Sequence, residues 1–245
     1  MPADRLAEMF VRLTDTLVTD FDSIDFMDLV ADSCVEVLDV DLAGVLLADQ
    51  HHRLRTIAVS SERARLLELF ELQSEQGPSV QCYRSGAVVS VADLNMAASR
   101  WPRFARAALA AGFEAVDALP LRLRERTIGA LNLFHVRPRT LDLVGMRVAQ
   151  ALADVATISL LQEERSGRND EVLAMRLQQA LHSRIVIEQA KGVLAEHLDS
   201  DMDTAFAELR RYARDGGLTT SGAANEIVSG VVRTDWRRTL GGGRD

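Results

Sequence analysis

Two apolar runs in the middle of the chain are separated by Arg124, Glu125 and Arg126. The runs, 115–123 and 128–136, have the length and composition of strands, and the charged residues between them suit a tight turn. The sequence therefore predicts a β-hairpin, which commits this part of the chain to an antiparallel sheet.

Three further segments, 42–48, 54–60 and 87–91, have the apolar or alternating pattern of strands. Apolar residues at helical spacing occur before the first of these segments, in a stretch where Ser23 can cap a helix. The same spacing occurs in 63–73 and in 104–109. The order is helices, two strands, helix, strand, helix, two strands, helix. This order predicts an α+β fold with an antiparallel sheet flanked by helices.

A seam of apolar residues at alternating spacings of three and four comes after the last strand. Its members are Leu141, Val144, Val148, Ala151, Val155 and Ile158. Such spacing suits pairing with another helix in a coiled coil, and a helix that lies on its own sheet explains it equally well. A polar segment, 162–171, separates this helix from the C-terminal part of the chain.

The C-terminal part has the pattern of a three-helix module. On a helix over 184–198, the apolar residues Val186, Ile187, Ala190, Val193, Leu194 and Leu198 form one stripe. The opposite face collects Arg184, Glu188, Lys191, Gly192 and Ala195. A glycine in mid-helix costs roughly 1 kcal/mol relative to alanine, so Gly192 indicates a close approach, either by a ligand or by a neighbouring helix.

The next helix begins near Asp201 and carries a compact group of arginines beside its apolar face. These are Arg210, Arg211 and Arg214. Guanidinium groups suit phosphates and base edges, but a solvated face partly neutralised by Glu208 would look the same. Gly216 and Gly217 end this helix, and Thr219 or Thr220 can cap a third one.

Composition excludes several functional classes. The net charge of −8 argues against broad, charge-driven binding of nucleic acid, so any such binding needs a local basic patch. No segment approaches the ~18 consecutive apolar residues of a membrane span, and no signal peptide is recognised, which places the chain in the cytoplasm. The histidines and the two cysteines, Cys34 and Cys82, have neither metal-ligand nor disulfide spacing. We expect no catalytic site, no metal and no cofactor.

The run 183–194 reads Ser-Arg-Ile-Val-Ile-Glu-Gln-Ala-Lys-Gly-Val-Leu, and 209–213 reads Leu-Arg-Arg-Tyr-Ala after Ala205 and Phe206. This pattern resembles the ANTAR domain of bacterial transcription antiterminators. The resemblance implies binding to RNA with paired hairpins and hexanucleotide loops, commonly by a homodimer. It implies that the RNA surface is formed or bordered by Arg184, Lys191, Gly192, Arg210, Arg211, Tyr212 and Arg214. Tyr212 could stack on a loop base or pack inward.

The first two-thirds of the chain, with Gln76-Gly77-Pro78 before Cys82, resembles a GAF domain. The pattern of cyclic-nucleotide-binding GAF domains is absent, and either a small ligand or dimerisation alone would suit such a sensor. The resemblance divides the chain into a GAF-like sensor with N-terminal helices (1–162), a helical linker or coiled coil (163–182), an ANTAR RNA-binding domain (183–234) and a disordered tail (235–245).

Three functions compete on this sequence. The first is an RNA-binding antiterminator controlled by a GAF sensor, and the second is a non-catalytic dimeric sensor or scaffold that binds a protein through its C-terminal module. DNA binding ranks last, because the third helix offers mainly Asn225 and Arg233 for reading bases. No membrane partner is expected.

Overall fold

The computed structural model describes residues 3–18, 22–162 and 170–230. The chain forms two compact units, Met1–Gln178 and Gln179–Asp245. The predicted tail and part of the predicted linker, 163–169, lie outside the described residues, so the domain borders predicted from sequence stay predictions. We refer to the two parts as the N-terminal and C-terminal units.

The N-terminal unit has six helices and five strands within the described residues. In chain order they are α1 (Ala3–Val18), α2 (Ser23–Val37), β1 (Leu42–Ala48), β2 (Leu54–Val59), α3 (Glu62–Ser74), α4 (Pro78–Ser85), β3 (Val89–Val91), α5 (Pro102–Ala110), β4 (Ala115–Leu123), β5 (Arg126–His135) and α6 (Leu143–Gln162). The helix α7 (Asp170–Leu198) leads into the C-terminal unit.

The five strands form one antiparallel sheet in the order β2-β1-β5-β4-β3. The predicted hairpin is β4 and β5, and its turn has Arg124 in the left-handed region at φ 55°. The predicted strand 128–136 in fact begins at Arg126, because Leu123 and Arg126 pair directly and close the turn tightly. The predicted fold class, an antiparallel sheet flanked by helices, is confirmed.

Both faces of the central strands are covered. Every residue of β4 from Ala115 to Leu121 is buried, which a strand with one solvated face would not allow. One face packs on α3, α4 and α5, whose side chains meet Val116 and Ala118. Because side chains alternate along a strand, Asp117 and Leu119 lie on the other face of the sheet. On that face α6 covers β4, and α2 covers β1 and β2.

The helix α4 is not among the elements that the sequence predicts. It begins after Gly77 with Pro78 at its first position and ends at Gly86, in the left-handed region at φ 63°. Its first turn is stabilised from α3, since the Glu71 carboxylate accepts hydrogen bonds from the backbone N–H groups of Ser79 (2.8 Å) and Val80 (3.4 Å). This cap comes from another element, so local sequence does not reveal it.

Glu71 is fully buried beneath α4. Burial raises the pKa of its carboxyl from 4.5 to about 7, although hydrogen bonds from Ser79 and Asn132 act in the opposite direction. Gly77 lies so close that a Cβ there would overlap the Glu71 side chain, and Gly44 of β1 stands in the same relation to the buried Glu68. The two glycines therefore make room for two carboxylates inside the unit.

A buried polar network joins the sheet to the start of α6. His135 Nδ1 accepts from Arg139 Nε at 3.2 Å, so its Nε2 carries the proton and donates to Asp117 Oδ2 at 3.0 Å. The same Asp117 oxygen accepts from the backbone N–H of Leu141 at 3.1 Å. Asp117 and His135 are fully buried, and their network fixes the chain just before α6.

The helix α6 has two different apolar faces. Ala149, Leu152, Ala153, Ala156 and Leu160 are buried on the N-terminal unit. All six residues of the predicted seam remain at least partly exposed, with Val144 at 59% and Ile158 at 46%. A separate face of α6 thus lies on the sheet, four of the six seam residues are half-buried beside it, and pairing of the seam with another helix stays a prediction.

One described segment has the length and mean hydropathy of a membrane span, although charged and polar residues interrupt its apolar residues so that they form no unbroken run. It is Leu143–Leu160 in α6, and 39% of it is buried inside the protein. Packing on β4 and α2 accounts for the apolar residues of its buried face.

We predict that Glu71→Gln removes a pH-dependent part of the stability of the N-terminal unit. Because the folded-state pKa is raised from 4.5 to about 7, the folded state binds the proton more tightly and stability falls as pH rises through this window. The shift corresponds to about 3 kcal/mol. Urea unfolding at several pH values should show that the free energy of unfolding declines less with rising pH in Glu71→Gln than in the unaltered protein. Glu125→Gln, in the exposed hairpin turn, should keep the full decline, and equal declines in all three proteins would contradict the prediction.

Candidate nucleic-acid interface

The C-terminal unit contains the end of α7 and two further helices, α8 (Met202–Gly216) and α9 (Thr220–Ser229). Asp201 caps α8 by accepting from the backbone N–H of Thr204, and Thr219 caps α9 in the same way through Gly222. Gly217 ends α8 in the left-handed region at φ 63°, as its sequence indicates. The core is formed by Ile187, Ala190, Leu194, Ala205, Leu209, Ala213, Ala223 and Ala224.

Arg184 and Lys191 are buried, whereas their sequence pattern placed them opposite the core. Only 5% of Arg184 and 1% of Lys191 is exposed, while Val193, assigned to the core stripe, is 41% exposed. The buried face of α7 is rotated relative to the predicted one, because α8 covers the helix on the side of Lys191. The expectation of an open cationic face on α7 is therefore wrong, and direct contact of these two residues with RNA stays a prediction.

Glu188 lies between these two cations. Its Oε1 atom is 2.9 Å from Arg184 Nη2 and 3.3 Å from Lys191 Nζ. Spacings of four and three residues place all three side chains on one side of α7. A buried charge is costly unless it is paired, so Glu188 permits two cations inside the unit.

Phe206 of α8 lies against the same cations. The centre of its ring is 5.1 Å from Lys191 Nζ, 5.7 Å from Arg184 Cζ and 4.4 Å from Arg210 Cζ. These distances are within the range of cation–π attraction. We call Arg184, Glu188, Lys191, Phe206 and Arg210 the cation–aromatic cluster.

The three arginines of α8 lie in three different settings. Arg210 is half-buried over Phe206. Arg211 Nε donates to Glu208 Oε2 at 3.1 Å, and its guanidinium is 4.0 Å from Asp215. Arg214 is exposed in the last turn. The predicted arginine patch thus consists of one stacked, one ion-paired and one solvent-facing side chain.

Tyr212 is half-buried and joins α8 to α9. Its hydroxyl donates to Glu226 Oε2 at 2.9 Å, and burial followed by this hydrogen bond raises its pKa. Of the two roles considered for Tyr212, inward packing with a satisfied hydroxyl agrees with this geometry.

Gly192 faces open space. A Cβ at this position would meet nothing within 4 Å, and the residue is exposed. The interpretation that Gly192 admits a neighbouring helix of the same module is therefore wrong, and close approach by a ligand stays a prediction.

Sequence reasoning missed the roles of Glu188 and Phe206. The sequence pattern places Glu188 on the face opposite the apolar stripe, and it gives Phe206 no role beyond its place in the ANTAR-like pattern. The spacing of Arg184, Glu188 and Lys191 was a usable signal, because an acid placed four and three residues from two cations can bind both.

Other types of site have little support in the described part of the chain. No group of three or more His, Cys, Asp or Glu side chains there could hold a metal ion. Cys34 and Cys82 are both buried, and burial raises the pKa of each thiol, that of Cys82 to about 12, which makes them poor nucleophiles. An open cavity of about 330 Å³ lies beside α4, with Gln76, Gln81 and Trp101 among its lining residues.

Two family models match the chain. The model of the GAF domain matches residues 22–160, and the model of the ANTAR domain matches residues 175–228. The first match covers more than half of the chain. No curated protein sequence matches the chain.

Solved structures resemble the N-terminal unit. The GAF domain of a phosphoenolpyruvate-protein phosphotransferase from Coxiella burnetii matches with a TM-score of 0.54 and 13% identity, covering 65% of this chain and 95% of that one. The corresponding GAF domain from Acinetobacter matches with a TM-score of 0.52 and 12% identity, covering 69% of this chain and 100% of that one. At this identity the likeness concerns the fold alone.

We predict that Glu188→Gln destabilises the C-terminal unit far more than Glu208→Gln. Removing the first carboxylate charge leaves two buried cations without their shared anion, at a cost of roughly 3 kcal/mol. Removing the second weakens an ion pair whose partner, Arg211, is 36% exposed, and such pairs contribute about 1 kcal/mol or less. Thermal and urea unfolding followed by circular dichroism would measure both losses. Losses of equal size would contradict the pairing role of Glu188.

Proposed function

The chain belongs to the GAF–ANTAR family of bacterial regulators, and on this premise we propose that it is an RNA-binding transcription antiterminator controlled by its GAF sensor. GAF and ANTAR domains are regulatory, non-catalytic domains. The ANTAR match over residues 175–228 is the observation that carries the proposal. We assign the sensor to residues 1–162, the linker to 163–182 and the RNA-binding domain to 183–234, and we place the protein in the cytoplasm, where nascent messenger RNA is found.

The proposed RNA target has two hairpins with hexanucleotide loops. The chain as a whole carries a charge of −8, so attraction to RNA must come from a local surface. Arg210 and the exposed Arg214 on α8 support such a surface, since guanidinium groups form bidentate hydrogen bonds with phosphates and stack on bases. The open space at Gly192 supports close approach of the RNA backbone to α7. Arg211 and Tyr212, held by Glu208 and Glu226, would border this surface.

Pairing of two chains would match the two hairpins. The exposed seam on α6 supports a homodimer, because its spacing of three and four residues is that of coiled-coil partners. Val144 and Ile158 are large apolar side chains that stay exposed in the single chain. A second copy would remove them from water and bring two RNA-binding domains into one particle.

Control by the sensor would act through the geometry of this dimer. GAF domains as a class bind small molecules, and either a ligand or dimerisation alone would serve here. We propose no metal and no cofactor for this chain.

A binding assay with the whole chain tests the proposed RNA recognition. The probes are a synthetic RNA with two hairpins carrying hexanucleotide loops, the same RNA with scrambled loops, and a single hairpin. We expect the intact pair to bind at least about tenfold more tightly than either control, because two linked sites raise the effective concentration and unpaired loop bases carry the specificity. Equal affinity for intact and scrambled loops would contradict the proposal and favour a protein partner for the C-terminal unit.

Ile158→Glu tests the proposed dimer. Burying a carboxylate against a second copy is costly, so the dimer dissociation constant should rise at least about tenfold. The control is Met96→Glu, which makes the same kind of change at an 82% exposed residue outside α6 and should leave dimerisation unchanged. Analytical ultracentrifugation over a concentration series measures both. An unaltered monomer–dimer equilibrium in Ile158→Glu would rule out the seam.

A further inference from the structure

Phe206 is the only residue of the cation–aromatic cluster with no charge, and all three cations of the cluster contact its ring. Phe206 as a whole residue is half-buried. Arg184 and Lys191 are buried against it, whereas Arg210, the closest of the three at 4.4 Å, is only half-buried. The cluster therefore has an inner part, closed to solvent, and an outer part made of Phe206 and Arg210.

The outer part has the chemistry to accept a planar ring. A guanidinium group over an aromatic ring forms a stack, and an unpaired nucleobase stacks on aromatic rings and on guanidinium planes alike. Bases in hairpin loops have exposed faces, unlike bases inside a duplex. Gly192 and Arg214 provide neighbouring open backbone and positive charge on α7 and α8.

The inner part cannot serve a phosphate in the same way. Lys191 is 1% exposed, and its ammonium group is already 3.3 Å from the Glu188 carboxylate. A phosphate would have to displace both Glu188 and the Phe206 ring to reach it.

We propose that Phe206 and Arg210 form a stacking platform for one unpaired RNA base, and that Lys191 and Arg184, held by Glu188, position this platform without contacting the RNA. The inference rests on the proposed RNA-binding function and adds Phe206 as a binding residue. It changes the role of Lys191 and Arg184 from RNA contacts to positioning residues.

Salt dependence separates contact from positioning. A cation that neutralises a phosphate releases a counterion, so its removal lowers the slope of log affinity against log salt by roughly 0.7 to 0.9. Removal of a positioning cation lowers the affinity and leaves the slope unchanged. Lys191→Met keeps an unbranched side chain without the charge, and Arg214→Gln is the matched change at an exposed arginine.

The experiment titrates the whole chain with the two-hairpin RNA between about 50 and 200 mM salt. We expect Lys191→Met to bind more weakly with an unchanged slope, and Arg214→Gln to bind with a reduced slope. A slope reduced equally by Lys191→Met would show that Lys191 contacts phosphate and would overturn its positioning role.

Variants at Phe206 test the platform itself. Phe206→Leu keeps an apolar side chain without the ring and should lose at least about fivefold in affinity at an unchanged slope, the usual effect of losing one stacked base. Phe206→Trp should retain binding, and RNA should quench the tryptophan fluorescence of this variant more than that of the unaltered chain. The proposed platform would be wrong if Phe206→Leu bound RNA with unchanged affinity. It would also be wrong if bound RNA did not quench the tryptophan fluorescence of Phe206→Trp further than that of the unaltered chain.

The experiments distinguish failure of the platform from failure of the proposed RNA-binding function. If the unaltered chain binds no RNA, both the proposed function and the platform are wrong. If it binds RNA and Phe206→Leu binds equally well, only the platform is wrong.

Discussion

Burial of β4 and β5 on both faces is the constraint around which the N-terminal unit is arranged. A strand with two buried faces needs a layer of helices on each side, and the chain provides α3, α4 and α5 for one side and α2 and α6 for the other. The polar residues on these strands must then find partners inside the unit, as Asp117 and His135 do with each other. The apolar inner face of α6 and the polar network before it both result from this arrangement.

The strands of this sheet could be predicted because their signals are local. Each strand lies in a short apolar or alternating segment, and the turn between β4 and β5 carries two charges, Arg124 and Glu125. The helix α4 could not be predicted in this way. Its first turn depends on Glu71, which lies on a different helix and reaches Ser79 and Val80 only in the folded chain. At α2 the cap is Asp22, which accepts from Ile24 N–H, in place of the expected Ser23 one residue later.

The sequence predicted which residues belong to the candidate site better than it predicted how they are buried and paired. The motif around Lys191 identified the helices and most of the residues, but a helical projection treats every lysine and arginine as solvent-facing. Whether a cation can be buried depends on the groups that the neighbouring helix offers, and here α8 offers the ring of Phe206. An acid between two cations on one helix can therefore indicate a buried pair as well as a solvated one, and only the packing of α8 distinguishes them.

The network of Asp117, His135 and Arg139 has a mechanical consequence for α6. It holds the chain immediately before the helix, so the near end of α6 moves with β4. The helix has 20 residues, which corresponds to a length of about 30 Å. Buried residues recur along it from Ala149 to Leu160, so the helix is held on the N-terminal unit over most of this length as well as at its start. A rotation of β4 would therefore carry α6 with it as one body, and the exposed residues on its outer side, Val144 and Ile158, would turn through the same angle.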